Sequence, residues 1–153
     1  MPRTPPPPPT PTTNRLGQCD WLDAAFAAVV EGGFDQARVL SLSKRLGVTR
    51  GSFYWHFASH ADLIEALWAR WYARELAVAQ QLRSHTTDRP KDDLMYLVQV
   101  ALAHAGEDLQ NMRFELALRA LGRRDANVAS LMRSMDELRI ALFKRKFMRL
   151  VQD

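Results

Sequence analysis

The chain has 153 residues, 47% of them apolar and 25% charged, with a formal net charge of +4. That composition suits one or two small packed domains of mildly basic character. With Cys19 as the single cysteine, an intrachain disulfide and a thiolate metal cluster are excluded. No stretch approaches the ~18 apolar residues of a membrane helix, and no charged start with an apolar core marks a secretory signal. The lone thiol fits a reducing compartment, so a cytoplasmic protein with no membrane partner is expected.

In chain order, residues 1–17 come first and hold seven of the eight prolines, Pro5 to Pro9 in a row. Such a segment forms neither a helix nor a sheet interior. A disordered or polyproline II arm is expected. It is a solvated tail, a ligand for a proline-binding module, or an arm whose Arg3 and Arg15 touch DNA.

From Asp20 the pattern turns helical. Asp20 is a candidate N-cap, and Asp23 faces the positive end of the helix dipole. Trp21, Leu22, Ala25, Phe26, Val29 and Val30 follow helical spacing, and Gly32-Gly33 ends the run before Phe34. A second helix is expected from about Arg38 to Leu46 and a third from about Thr49 to His56.

Between these two lies a short turn in which each residue has a physical task. Ser43 is small enough to let two helices approach, Gly47 can take the positive φ that ends the first of them, and Phe53 fills the angle between them. Arg50, Gly51, Ser52, Tyr54, Trp55 and His56 are then left to face outward. That is a helix-turn-helix, whose second helix enters the DNA major groove. Between Gln36 and Ala61 stand Arg38, Lys44, Arg45 and Arg50 with no Asp or Glu, a charge balance that favours a phosphate backbone.

Ser59-x-x-Asp62 reads as a capping box for a fourth helix, which continues through Leu63, Leu67, Trp71 and Val78 to about Ser84. Pro90 suits the first turn of a fifth helix, Lys91 to about His104. A sixth spans Asn111 to about Leu121 and a seventh Asn127 to about Val151. No alternating run is long enough for a strand. The expected fold is all-α: a three-helix helix-turn-helix domain over 18–60, then a helical domain over 61–153.

Several of these motifs in one order over some 60 residues resemble the TetR family of transcriptional regulators. They are Gly33-Phe34, the run Leu42 to Val48, Tyr54-Trp55-His56-Phe57, and Ser59 to Leu63. The later FELALRALGRRD and DELR stretches resemble the family's sixth and seventh helices. The resemblance implies a DNA-binding repressor that engages a palindromic double-stranded operator as a homodimer and is released by a small molecule. It places Thr49 at the start of the recognition helix, as cap or phosphate contact. It makes Arg50 a base reader that can hold guanine in a bidentate way. Gly51 and Ser52 lie at the groove floor, and Tyr54 and His56 contact phosphates. Trp55, counted among the DNA contacts, packs or stacks beside them, and Phe57 packs.

The chain departs from the family in four places. His60, expected as a weaker phosphate contact, stands where a lysine is usual; Arg38, expected as a further cation at the DNA edge, stands where a Ser or Thr caps the second helix; and Ser43 stands where alanine is usual. Family members also continue past the seventh helix with two long helices that build the dimer interface. With its last residue at Asp153, the chain reads as a shortened form, a fragment, or a protein that dimerises through another surface. The apolar stripe Val128, Leu131, Met135, Leu138 and Leu142, widened by Phe143, Phe147 and Met148, is either that surface or a core face.

The second domain would be the ligand-sensing and dimerisation part. Trp68, Trp71, Tyr72, Met95, Tyr96, Met112, Phe114, Met132 and Met135 either line a pocket for a small apolar ligand or fill a core. Glu115 and Arg119 are spaced to pair on a helix surface. His56 and His60 have metal-ligand spacing, but a helix break at Ala58-Ser59 separates them, so no metal and no cofactor are expected. Without a nucleophile elbow, phosphate loop or carboxylate pair, no enzyme activity is expected. The alternative function is a protein-interaction module: a shortened homologue that binds DNA weakly and pairs with a longer relative.

Overall fold

The computed structural model describes residues 16–107 and 109–152, the side chains of 104–107 excepted. The expected proline-rich arm lies outside the described residues as far as residue 15. Among the described residues the chain is all-helical, with seven α-helices, one 3-10 turn and no strand. They are α1 (Gln18–Gly32), the 3-10 turn (Phe34–Gln36), α2 (Val39–Leu46), α3 (Arg50–Phe53), α4 (His60–Ser84), α5 (Pro90–Glu107), α6 (Leu109–Leu121) and α7 (Ala126–Val151).

The local chemistry explains where these helices start and stop. Helix α1 begins two residues before the expected cap. Asp20 sits in its first turn, where its carboxylate accepts from the Gly17 N–H at 2.6 Å, the reach-back half of a capping box. Asp23 does not serve the dipole alone, because it pairs with Arg70 of α4 at 2.7 Å. Helix α2 ends in a Schellman motif: Gly47 is left-handed at φ +68°, and the Val48 N–H donates to the Ser43 carbonyl at 3.0 Å. Ser59 caps α4 by accepting from the Asp62 N–H. The cap of α7 is Asp125, which the sequence reading passed over. Its carboxylate accepts from the Asn127 and Val128 N–H groups.

The recognition helix is shorter than its expected span of Thr49 to His56. Only Arg50–Phe53 is α-helical. Beyond it the N–H groups of Tyr54, Trp55 and His56 bond three residues back, the tighter 3-10 pattern common at helix ends. Phe53 and Phe57 are both buried and stack with ring centroids 5.5 Å apart, which holds the turn closed.

One main core runs through the molecule without a break at residue 60. It takes Trp21, Ala25 and Val29 from α1, Leu42 and Phe53 from α2 and α3, and Leu63, Leu67 and Trp71 from α4. Phe114 and Leu118 of α6 and Val128, Met132 and Met135 of α7 complete it. Phe114 sits at its centre, its ring 4.9 Å from Phe26, 5.7 Å from Phe34 and 6.5 Å from Trp71. A smaller core of Leu82, Leu97 and Leu142 closes the far end of α4, α5 and α7. At 25 residues, α4 is about 37 Å long, and like α7 it touches both cores.

Candidate nucleic-acid interface and effector cavity

The helix-turn-helix is built from its underside outward. Phe53 is 0% exposed and meets Trp21 edge-on at 5.3 Å. Ser43 is buried, and its hydroxyl donates to the Leu40 carbonyl at 3.0 Å, so the tight α2–α3 approach leaves no polar atom unpaired. With that side fixed, the opposite edge of α3 faces solvent. Thr49, Arg50, Gly51, Tyr54 and Trp55 are exposed, and Ser52 and His56 are half-buried.

Several of these side chains are prearranged. Arg50 donates to the Tyr54 hydroxyl at 3.4 Å, one turn along the same face. The Thr49 side chain makes no capping bond, so its hydroxyl remains available for a phosphate. Trp55 is 88% exposed. The packing role expected for it is therefore absent within the protomer, since its neighbours Phe53 and Phe57 take the inward positions. A Cβ added at Gly51 would meet only the Thr49 hydroxyl, at 3.8 Å, so the backbone edge there is open.

The flanking cations divide. Arg38, Arg50 and His60 border one shallow hollow with Val39 and Leu40, which gathers three of the expected contact residues at one edge. Arg38 is steadied by donating to the Asp35 carbonyl at 3.0 Å. The His60 ring is committed inward, its Nε2 2.7 Å from the Ala37 carbonyl, a contact that requires Nε2 to carry the proton. Arg45 is also spoken for. It makes a bidentate pair with Glu31 at 2.6 and 2.8 Å, which the acid-free window of 36–61 did not reveal because Glu31 lies just outside it. Those hydrogen bonds hold the Glu31 carboxyl below its ordinary value.

The nine residues expected around a ligand do not share one cavity. Trp71, Phe114, Met132 and Met135 fill the main core. Trp68 and Tyr72 border an open groove of about 770 Å³ between the helix-turn-helix and α7. Met95 lies on the surface, and Tyr96 stacks on His85 at 3.9 Å and takes a hydrogen bond from Gln81. Only Met112 and Met135 reach the more enclosed space, a cavity of about 280 Å³ between α4, α5, α6 and α7.

That cavity has apolar walls and a charged floor that helical spacing did not disclose. Val78, Leu82, Leu97, Val100, Leu142 and Phe143 form walls, and Glu75, Asn111, Glu115 and Arg139 form the floor. Glu75, 6% exposed, accepts from Asn111 at 2.8 Å and from Arg139 at 2.9 Å. Arg139 also makes two bonds to Glu115, at 2.9 and 3.0 Å. Arg119, expected to pair with Glu115, does so at 2.7 Å and also grips Asp136. Burial pushes the Glu115 carboxyl up, but the hydrogen bonds from Arg139 and Arg119 outweigh it and hold it below the usual range. A second buried cluster ties the α4–α5 connection to α7: Asp93 accepts from the Thr87 N–H at 2.7 Å and pairs with Arg149, while Lys146 donates to the His85 carbonyl.

Among the described residues no group of three or more His, Cys, Asp or Glu side chains is placed to hold a metal, and no helix is long and apolar enough to cross a membrane.

The geometry can be set beside known proteins. Residues 22–67 match the family described as bacterial regulatory proteins, tetR family. The HTH-type transcriptional regulator AcrR of Shigella flexneri is 36% identical over 47 residues, 31% of this chain and 22% of that protein's length. A crystal structure of a Streptomyces coelicolor A3(2) protein, described as a transcriptional regulator, superposes with a TM-score of 0.68 at 15% identity. That superposition covers 84% of this chain and 74% of the other and shows a shared fold. The matched residues are the α1–α4 unit whose exposed edge and buried aromatic underside are described above, and over that unit this chain is similar to the tetR family of bacterial regulatory proteins.

Proposed function

We propose that the chain is a sequence-specific DNA-binding transcriptional regulator. It acts as a repressor, engages a palindromic operator as a homodimer, and releases it when a small apolar molecule occupies the α4–α7 body. One observation carries the reading: α3 rests on a fully buried Phe53 and turns Arg50, Tyr54 and Trp55 to solvent. Arg50 is the base reader in this proposal, a guanidinium suited to guanine O6 and N7. Thr49, Ser52, Tyr54 and His56 hold phosphates and set the register, and Arg38 adds a cation at the edge. Two such helices must reach half-sites about 34–36 Å apart, which is why a dimer belongs to the proposal.

Release would run through α4. It leaves the helix-turn-helix at Ser59 and carries Glu75 to the cavity floor, so a ligand that shifts α4 changes the separation of the two recognition helices. The test is enrichment from a random duplex library. The protein should select one palindrome, with affinity falling steeply as salt rises. Arg50→Ala should lose about 1–3 kcal/mol of specific binding and relax one position of the site. A library that yields no preferred sequence overturns the proposal.

A further inference from the structure

We propose that the occupant of the α4–α7 cavity is a hydrophobic amine, an apolar body bearing a single positive charge that docks on the carboxylate of Glu75. The inference deepens the regulator reading above and rests on it for its consequence, because it names the chemical class of the effector.

The charge inventory of the cavity points to a cation. Two carboxylates, Glu75 and Glu115, and one guanidinium, Arg139, border it, a net charge of −1. Just outside, Arg119 and Asp136 pair with each other and cancel. An ammonium entering this space balances the floor in surroundings of low dielectric, where a charge contact is worth far more than in water. A carboxylate ligand would double the imbalance. A neutral ligand would gain the walls alone.

The bonding pattern says which carboxylate yields. Arg139 gives Glu115 two hydrogen bonds and Glu75 one. Handing Glu75 to a ligand therefore leaves Arg139 in a two-bond pair rather than stranded, and avoids the heavy cost of an unpaired buried charge. Glu115 also keeps its bonds from Arg119. Glu75 is thus the exchangeable partner. Around it the walls are aliphatic and aromatic, with Val78, Leu97, Val100, Leu142 and Phe143 facing the space, the lining expected for an apolar body. The exchange has a mechanical result. Glu75 belongs to α4 and Arg139 to α7, so the amine unties an ion pair that joins those two helices.

Calorimetric titration of the full chain with decylamine, decanol and decanoate near neutral pH tests this. Decylamine, with a pKa near that of lysine at about 10, is charged there. It should bind about tenfold or more tighter than decanol, with decanoate weakest. Glu75→Gln preserves the shape of the side chain and should bring decylamine level with decanol. Ala79 also lines the cavity, and Ala79→Phe, which fills the space and leaves the charges alone, should weaken all three ligands. Equal binding of amine and alcohol by the unaltered chain overturns the proposal whether or not Glu75→Gln folds. So does binding that Ala79→Phe leaves unchanged. A chain that selects an operator but ignores decylamine defeats this inference alone, whereas a chain that binds decylamine and selects no operator defeats the regulator reading.

Discussion

The two halves of the molecule bury different chemistry. Among the described residues before α4, the single buried polar side chain is Ser43, and the rest of that interior is Trp21, Leu22, Val29, Leu42, Phe53 and Phe57 with a few alanines. In the α4–α7 body the interior admits Glu75, Asp93, Asn111 and Lys146. An apolar interior settles into one packed arrangement and holds a surface still. Buried ion pairs have alternative partners, and exchanging partners moves helices at modest cost. The first half is built as a platform, and under the proposed function the second is the part that responds.

The sharpest way to break this comparison is at Phe53. Phe53→Ala should cost about 3–5 kcal/mol, as large-to-small changes at fully buried aromatics do, read from the urea midpoint. A loss below about 1 kcal/mol would show that the α1–α3 interior can close over the gap and is no rigid platform.

Next comes Arg139→Leu, which leaves Glu75 and Glu115 facing each other without their shared cation. A cost of about 2 kcal/mol is expected, less than for a fully buried pair because Arg139 keeps 34% of its side chain in water. The pH dependence gives its sign. The Glu115 carboxyl is held low in the folded chain, so its stabilisation is present above the ordinary glutamate value of about 4.3 and is lost as pH falls through the lower folded value. Unaltered chain and variant should therefore converge in stability only once the pH has fallen below that lowered folded value. A gap that persists in acid would place the loss in packing rather than charge.

Two glycines provide smaller tests. Gly47→Ala forces a side chain into the left-handed region at φ +68° and should cost about 1–2 kcal/mol, with thermal melting as the measure. Gly51→Ala should leave stability within about 0.5 kcal/mol, because its Cβ would meet only the Thr49 hydroxyl, at an ordinary contact distance of 3.8 Å. If the backbone of α3 approaches the groove floor, the same substitution should weaken operator binding in a gel-shift titration. Undiminished affinity would remove Gly51 from the interface.

What the sequence disclosed follows the same division. The turn between α2 and α3 was legible because its parts lie within a dozen residues. Gly47 sets the φ, Ser43 sets the approach and Phe53 sets the wedge, and each acts on its neighbours. The outward direction of Trp55 was legible in the same spacing, whereas the packing role the resemblance gave it finds no counterpart within the protomer, where Trp55 is 88% exposed. The charged cavity floor was illegible. Glu75, Asn111, Glu115 and Arg139 come from three helices, and the one local trace was the Glu115–Arg119 pair, whose second grip on Asp136 of α7 depends on how α6 and α7 are laid together. Arg45 shows the same limit in reverse. A window of sequence counted it as a free cation, while the fold brings Glu31 to it from α1.

Phe114 gives the architecture a final consequence. Its ring, lodged among Phe26, Phe34 and Trp71, means that the two halves are not beads on a string. Excising residues 18–60 would tear aromatic surface from both pieces, so neither fragment inherits a finished interior. Any molecule that disturbs the seat of α6 is felt by the first helix directly, with no flexible joint to absorb the strain. Under the proposed function, evolution can then retune the response by reshaping one phenylalanine's neighbours without altering a residue proposed to meet DNA.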